Sequence, residues 1–84
     1  MNPQFKIESV EVDWRLRAYV RAAIVNPKDF VVTAGSRLGG VYISPEELRE
    51  PKLGVFIFRL EDSSDATKLH TGDTVTLEAR KPNP

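Results

Sequence analysis

Arg15, Arg17, Tyr19 and Arg21 alternate cation and aromatic at every second position. In an extended strand that spacing projects all four from one face, in a row with neighbours about 6.5–7 Å apart. Guanidinium groups neutralise phosphates and a phenol ring stacks on a base, so the row offers chemistry for single-stranded nucleic acid. It offers equally a contact for an acidic protein surface. With Glu11 and Asp13 on a neighbouring strand, it also reads as a solvent-facing ladder of ion pairs.

A catalytic reading has to start at His70, the single imidazole in the chain. Asp73 and Thr71 could orient it, and Ser63 or Ser64 could supply a nucleophile, but the spacing matches neither a nucleophile elbow nor HExxH. An exposed histidine beside a turn accounts for the residue without catalysis. Gly35, Gly39 and Gly40 with Arg37 suggest an anion cradle, yet the order is neither GxGxxG nor GxxxxGK[ST], and a hairpin loop explains it. Glu61, Asp62 and Asp65 lack the ligand order of a calcium loop and read as an acidic turn. With no cysteine and one histidine, thiol catalysis and the usual zinc ligand sets are excluded. No enzyme, cofactor or metal site is expected.

Twelve basic side chains balance twelve acidic ones, whereas gripping a phosphate backbone normally leaves a basic excess. The distribution is less even. Residues 14–28 hold Arg15, Arg17, Arg21 and Lys28 without an acid, while 43–65 hold Glu46, Glu47, Glu50, Glu61, Asp62 and Asp65 against Arg49, Lys52 and Arg59. Segregated charge suits head-to-tail self-association or a charged protein partner.

The elements that carry these residues read mostly as strands. Phe5 and Ile7 share one parity and Val10 and Val12 the other, which a bulge near Glu8 or Ser9 reconciles. From Trp14 to Val25, period two puts Trp14, Leu16, Ala18, Val20, Ala22 and Ile24 on one face. Period 3.6 also fits, with Leu16, Tyr19, Val20, Ala23 and Ile24 as a stripe, Asp13 as N-cap and Asn26-Pro27 as terminator. The alanines at 18, 22 and 23 favour that helix. The unbroken alternation and the turn signal at 26–29 favour a strand, with Phe30 to Ala34 returning as its hairpin partner. A flexible loop follows at 35–40 and a short strand at 41–43.

Ser44-Pro45-Glu46-Glu47 combines N-cap, first-turn proline and acids, so a short helical turn is expected near 45–50. Leu53 to Glu61 is apolar on both parities, which asks for cover on both sides, from the fold itself or from another subunit. Residues 62–65 read as a turn. Thr74 to Arg80 alternates, with Val75, Leu77 and Ala79 inward. Residues 1–3 and 81–84 read as frayed tails.

Two short runs resemble known all-β folds. Ala22 to Pro27 is similar to the hairpin of immunoglobulin-like sandwiches, and Leu69 to Val75 to the last turn of barrel domains in translation factors. Both are turn chemistry that recurs in unrelated folds and assign no family.

The 84 residues therefore read as one all-β domain, a small antiparallel barrel or sandwich of five to six strands, with α+β and a helix at 14–25 as the alternative. No apolar run approaches the ~20 residues of a membrane helix, and Met1 is not followed by a basic-then-apolar leader. The expected setting is cytoplasmic. The expected function is a non-enzymatic protein-binding or assembly module, self-association included. The alternative is a small nucleic-acid-binding barrel acting through Arg15, Arg17, Tyr19 and Arg21.

Overall fold

The computed structural model describes residues 2–26 and 29–79. Along the chain come β1 (Gln4–Val12), β2 (Ala18–Ile24), β3 (Arg37–Leu38), β4 (Val41–Lys52), β5 (Val55–Leu60), a 3-10 helix (Ser63–Lys68) and β6 (Thr74–Glu78). All pairings are antiparallel, and the strands close into a barrel in the order β1-β2-β5-β4-β3-β6. Of the two architectures expected, the barrel forms. Closure gives each strand a partner on both sides over part of its length.

In β1, Phe5 and Ile7 are buried, the register shifts between Ile7 and Ser9, and Val10 packs against the core beyond it. The bulge lies where the change of parity asks for one. Ala18, Val20 and Ala22 of β2 are buried and alternate with outward Tyr19 and Arg21. Ladders with β1 and β5 on either side satisfy the backbone of β2, so the strand forms and the helical alternative does not. Its alanines have a packing reason. Ala22 lies between Ile7 and Phe56, and a narrow barrel accepts large side chains only where small ones face them.

Several local expectations are corrected. The strand expected from Trp14 starts only at Ala18, because Asp13 to Arg17 is a tight turn: Leu16 N donates to Asp13 O (3.0 Å) and Asp13 N to Arg17 O (2.9 Å). Phe30 to Ala34 is irregular and pairs with no strand; the partners of β2 are β1 and β5. Residues 35–40 are not all loop. Arg37-Leu38 pairs with Tyr42-Val41 through a two-residue Gly39-Gly40 turn, whose φ of 60° and 83° glycine adopts without strain.

The helical turn expected near 45–50 is instead a bulge in β4. Ser44 Oγ does accept from Glu46 N (3.1 Å), as a cap would, but Glu47 takes a φ of 64° and the chain rejoins β5 at Arg49. Ser44 faces Arg59 and Arg49 faces Ile57, so five steps along β4 match two along β5. Pro45 is tolerated there because a bulged residue need not donate to the ladder. The helical turn of the protein lies at Ser63–Lys68, capped by Asp62. In β6, Leu77 is buried and Val75 packs on the core, while Ala79 is exposed beyond the strand; Arg80 lies outside the described residues.

Two long connections close the barrel ends. Between β2 and β3, Phe30 meets Phe5 and Phe56 edge-on at centroid distances of 5.2 and 4.8 Å. Between β5 and β6, the 3-10 helix lies against β1, β2 and β5, with Ala66 and Leu69 on the core. Among the described residues no buried side-chain polar atom lacks a partner. Buried Ser36, for example, bonds Thr33 through both its N–H and its hydroxyl. Of the segments expected as tails, Pro3 accepts from Leu77 N (2.9 Å), while residues 1 and 81–84 lie outside the described residues.

Candidate functional site

The outward face of the barrel around β2 gathers three of the four residues singled out in the sequence. Arg17 precedes β2, and Tyr19 and Arg21 stand on it. Arg17 Nη1 donates to Glu47 Oε1 (3.1 Å), Tyr19 Oη donates to Glu47 Oε2 (2.8 Å), and Arg21 Nε donates to Glu8 Oε1 (3.1 Å). Arg59, which faces Tyr19 on β5, approaches Glu46 and Glu47 at 3.7 and 3.8 Å. The Tyr19 hydroxyl first, and then Arg59, Arg17 and Arg49, hold the Glu47 carboxyl below its usual range.

The carboxylates of this face are not the ones expected. Asp13 serves the turn: its Oδ1 accepts from Arg15 N and Arg17 N, both at 2.9 Å. Glu11 lies opposite Tyr19. The missed partner, Glu47, reaches the row because the β4 bulge carries it there, and nothing in the sequence near Arg17 announces a contact thirty residues away. A cleft of ≈ 280 Å³ beside Tyr19 is lined by Glu11, Asp13, Arg21, Arg49 and Ile57 among others, so its charges balance. Ile57 lies opposite Arg21 and Arg49 on the flanking strands and is partly buried. With Val55 buried and Phe56, Phe58 and Leu60 packed in the core, the fold itself covers most of β5, and only Leu53 beyond its start stays bare.

Arg15 is not in the row. It sits in the hairpin turn with its guanidinium 4.6 Å from the centroid of the Trp14 ring. Trp14 and Leu16, expected on the inward face, are 83% and 72% exposed on that tip. Leu16 adopts a φ of 61°, the position of such turns where glycine is usual.

A second apolar surface lies at the opposite end of β2. Ile24, Phe30, Leu48 and Phe56, all partly buried against the core, floor a broad groove of ≈ 890 Å³. Leu53 on its rim is 95% exposed. Asp29 and Glu50 line it as well.

The other sequence candidates are drawn into local structure. Ser64 bonds Asp62 through its N–H (2.9 Å) and its hydroxyl (2.8 Å), which caps the 3-10 helix and lowers the Asp62 carboxyl from its usual range. Asp65 pairs with Lys68 at 2.9 Å, which raises the lysine. His70 is exposed at a turn where Asp73 N donates to its carbonyl (3.1 Å). Arg37 is bonded to Glu78 at 3.0 Å. Among the described residues no group of acids and histidine is arranged to hold a metal, and no helix is long and apolar enough to cross a membrane.

No protein-family model matches the chain, and comparison with curated proteins and with solved structures returns no significant match.

Proposed function

We propose that this chain is a non-enzymatic binding or assembly module whose contact surface is the tip of the β1–β2 hairpin. The observation that carries the reading is the exposure of Trp14 and Leu16 side by side, with Leu16 in a left-handed conformation that leucine does not favour. An interface anchor is commonly an aromatic that is bare in the free monomer and flanked by a cation, and Trp14 under Arg15 has that composition. A cytoplasmic setting belongs to the same proposal, and a chain without cysteine fits it.

The test is capture from the native host with wild-type bait and with a Trp14→Ser/Leu16→Gly bait. A specific binding partner, or a second copy of the chain, retained by the first and lost by the second is the expected result. Identical captures would remove the tip from the contact surface.

The alternation of Arg17, Tyr19 and Arg21 along β2 favours a second reading, a nucleic-acid-binding barrel. Against it, Arg17, Arg21 and Arg59 each have a carboxylate within 4 Å, which a phosphate would have to displace. Titration of labelled single-stranded RNA or DNA at low salt decides between them. Binding that weakens steeply as salt rises, and that Arg21→Ala reduces, would support the second reading.

A further inference from the structure

Two apolar surfaces among the described residues have complementary character. The hairpin tip is convex and carries Trp14 and Leu16 with the Arg15 cation beside them. The carboxylate of Asp13, at the base of the tip, is occupied by two backbone N–H groups. At the other end of β2, the groove is concave and floored by aliphatic and aromatic side chains, and among the described residues its charged lining is acidic, from Asp29 and Glu50. One Glu50 oxygen accepts from Gly54 N (3.0 Å), which holds that carboxylate at the turn beside Leu53.

We propose that the tip of one copy seats in the groove of the next, so that the chain associates head to tail. This rests on the binding-module reading and names its partner as a second copy of this chain. A chain cannot satisfy its own groove, because tip and groove are separated by β2, whose seven residues span roughly 20 Å. The contact joins two different surfaces and is therefore heterologous. Repeated, it builds a ring if the rotation closes and a filament if it does not.

Each junction is small. A tryptophan buries only about 150–250 Å², a small part of the ~1,200 Å² typical of stable pairs. Single junctions therefore form and break readily, and assembly depends strongly on concentration.

Sedimentation velocity across a concentration series tests the proposal, using wild type, the tip variant Trp14→Ser/Leu16→Gly and the groove variant Leu53→Asp. The three substituted side chains are largely exposed, so both variants keep the barrel, which circular dichroism verifies. Wild type should pass beyond dimer as concentration rises. Each variant should weaken association by roughly tenfold or more, as loss of a central anchor does. Mixed together, the two variants should form dimers and stop there, since the tip variant still offers a groove and the groove variant still offers a tip. Arg15→Asp and Asp29→Arg should each weaken association, and together in one chain restore it.

Wild type that stays monomeric throughout, a closed dimer that both variants retain, or a mixture no more associated than its components overturns the head-to-tail contact. Its failure is separable from that of the broader reading. A monomeric wild type that retains a different host protein through Trp14 and Leu16 loses self-association and keeps the binding module. Where neither form of contact depends on those residues, both fall.

Discussion

Leu16 and Glu47 both adopt left-handed backbone, with φ of 61° and 64°, and both project from turns or bulges rather than from regular ladder. For a leucine that conformation costs about 1–2 kcal/mol. Glycine would relieve it but add about 0.5–1 kcal/mol of chain entropy to be lost on folding. Relief is the larger effect, so Leu16→Gly should raise stability by about 0.5–1 kcal/mol in urea denaturation. A loss of stability would mean that Leu16 makes contacts within the monomer. At Glu47 the folded carboxyl binds its proton more weakly than the unfolded one, because Tyr19 donates to it and Arg59 and Arg17 face it. Its contribution is thus fully present above the unfolded pKa and is lost as pH falls through the lowered folded value. Glu47→Gln should make the acid side of the stability–pH curve shallower and leave its shape above neutrality unchanged, measured by urea midpoints from pH 2 to 8.

At the scale of elements, the connection from β2 to β3 acts as a plug. Phe30 is the residue through which it holds, meeting Phe5 and Phe56 in near-perpendicular pairs. Such pairs add about 0.5–1.5 kcal/mol each beyond area burial, and a fully buried phenylalanine costs 3–5 kcal/mol to truncate. Phe30 is only partly buried, so Phe30→Ala should destabilise by about 2–3 kcal/mol by urea denaturation. It should also weaken association, since the same ring floors the groove. The strand pattern around this plug was legible. Alternation marked Ala18, Val20 and Ala22 as inward, and the change of parity marked the bulge near Ser9. Ser44 to Glu47 misleads, because the residues that open a helix also open a bulge: Ser44 makes the same bond to Glu46 N in either case. What separates the two outcomes is the ladder with β5, more than ten residues further along.

For the whole molecule, the single tryptophan sits outside the core, which makes it a reporter of the proposed head-to-tail contact rather than of folding. In dilute solution its emission should already lie at the wavelength of a hydrated indole and shift little across the urea transition seen by circular dichroism. On the proposed head-to-tail contact, it should move to shorter wavelength at high concentration, because Trp14 would then enter an apolar groove. A large shift on unfolding the dilute monomer would contradict the exposed tip.

The row at Arg17, Tyr19 and Arg21 and the all-β character were written in period-two alternation, because burial on one face of a pleated strand is a local constraint on residue type. Closure into a barrel, the carboxylates that compensate the row, and the exposure of Trp14 and Leu16 were not. They depend on which strands meet and on where a turn falls. A shift of the strand start from Trp14 to Ala18 left two large apolar side chains outside a core that the same alternation had assigned them to. Local sequence specifies which residues prefer to be buried, whereas only the closed barrel, with its limited interior volume, decides which of them find room.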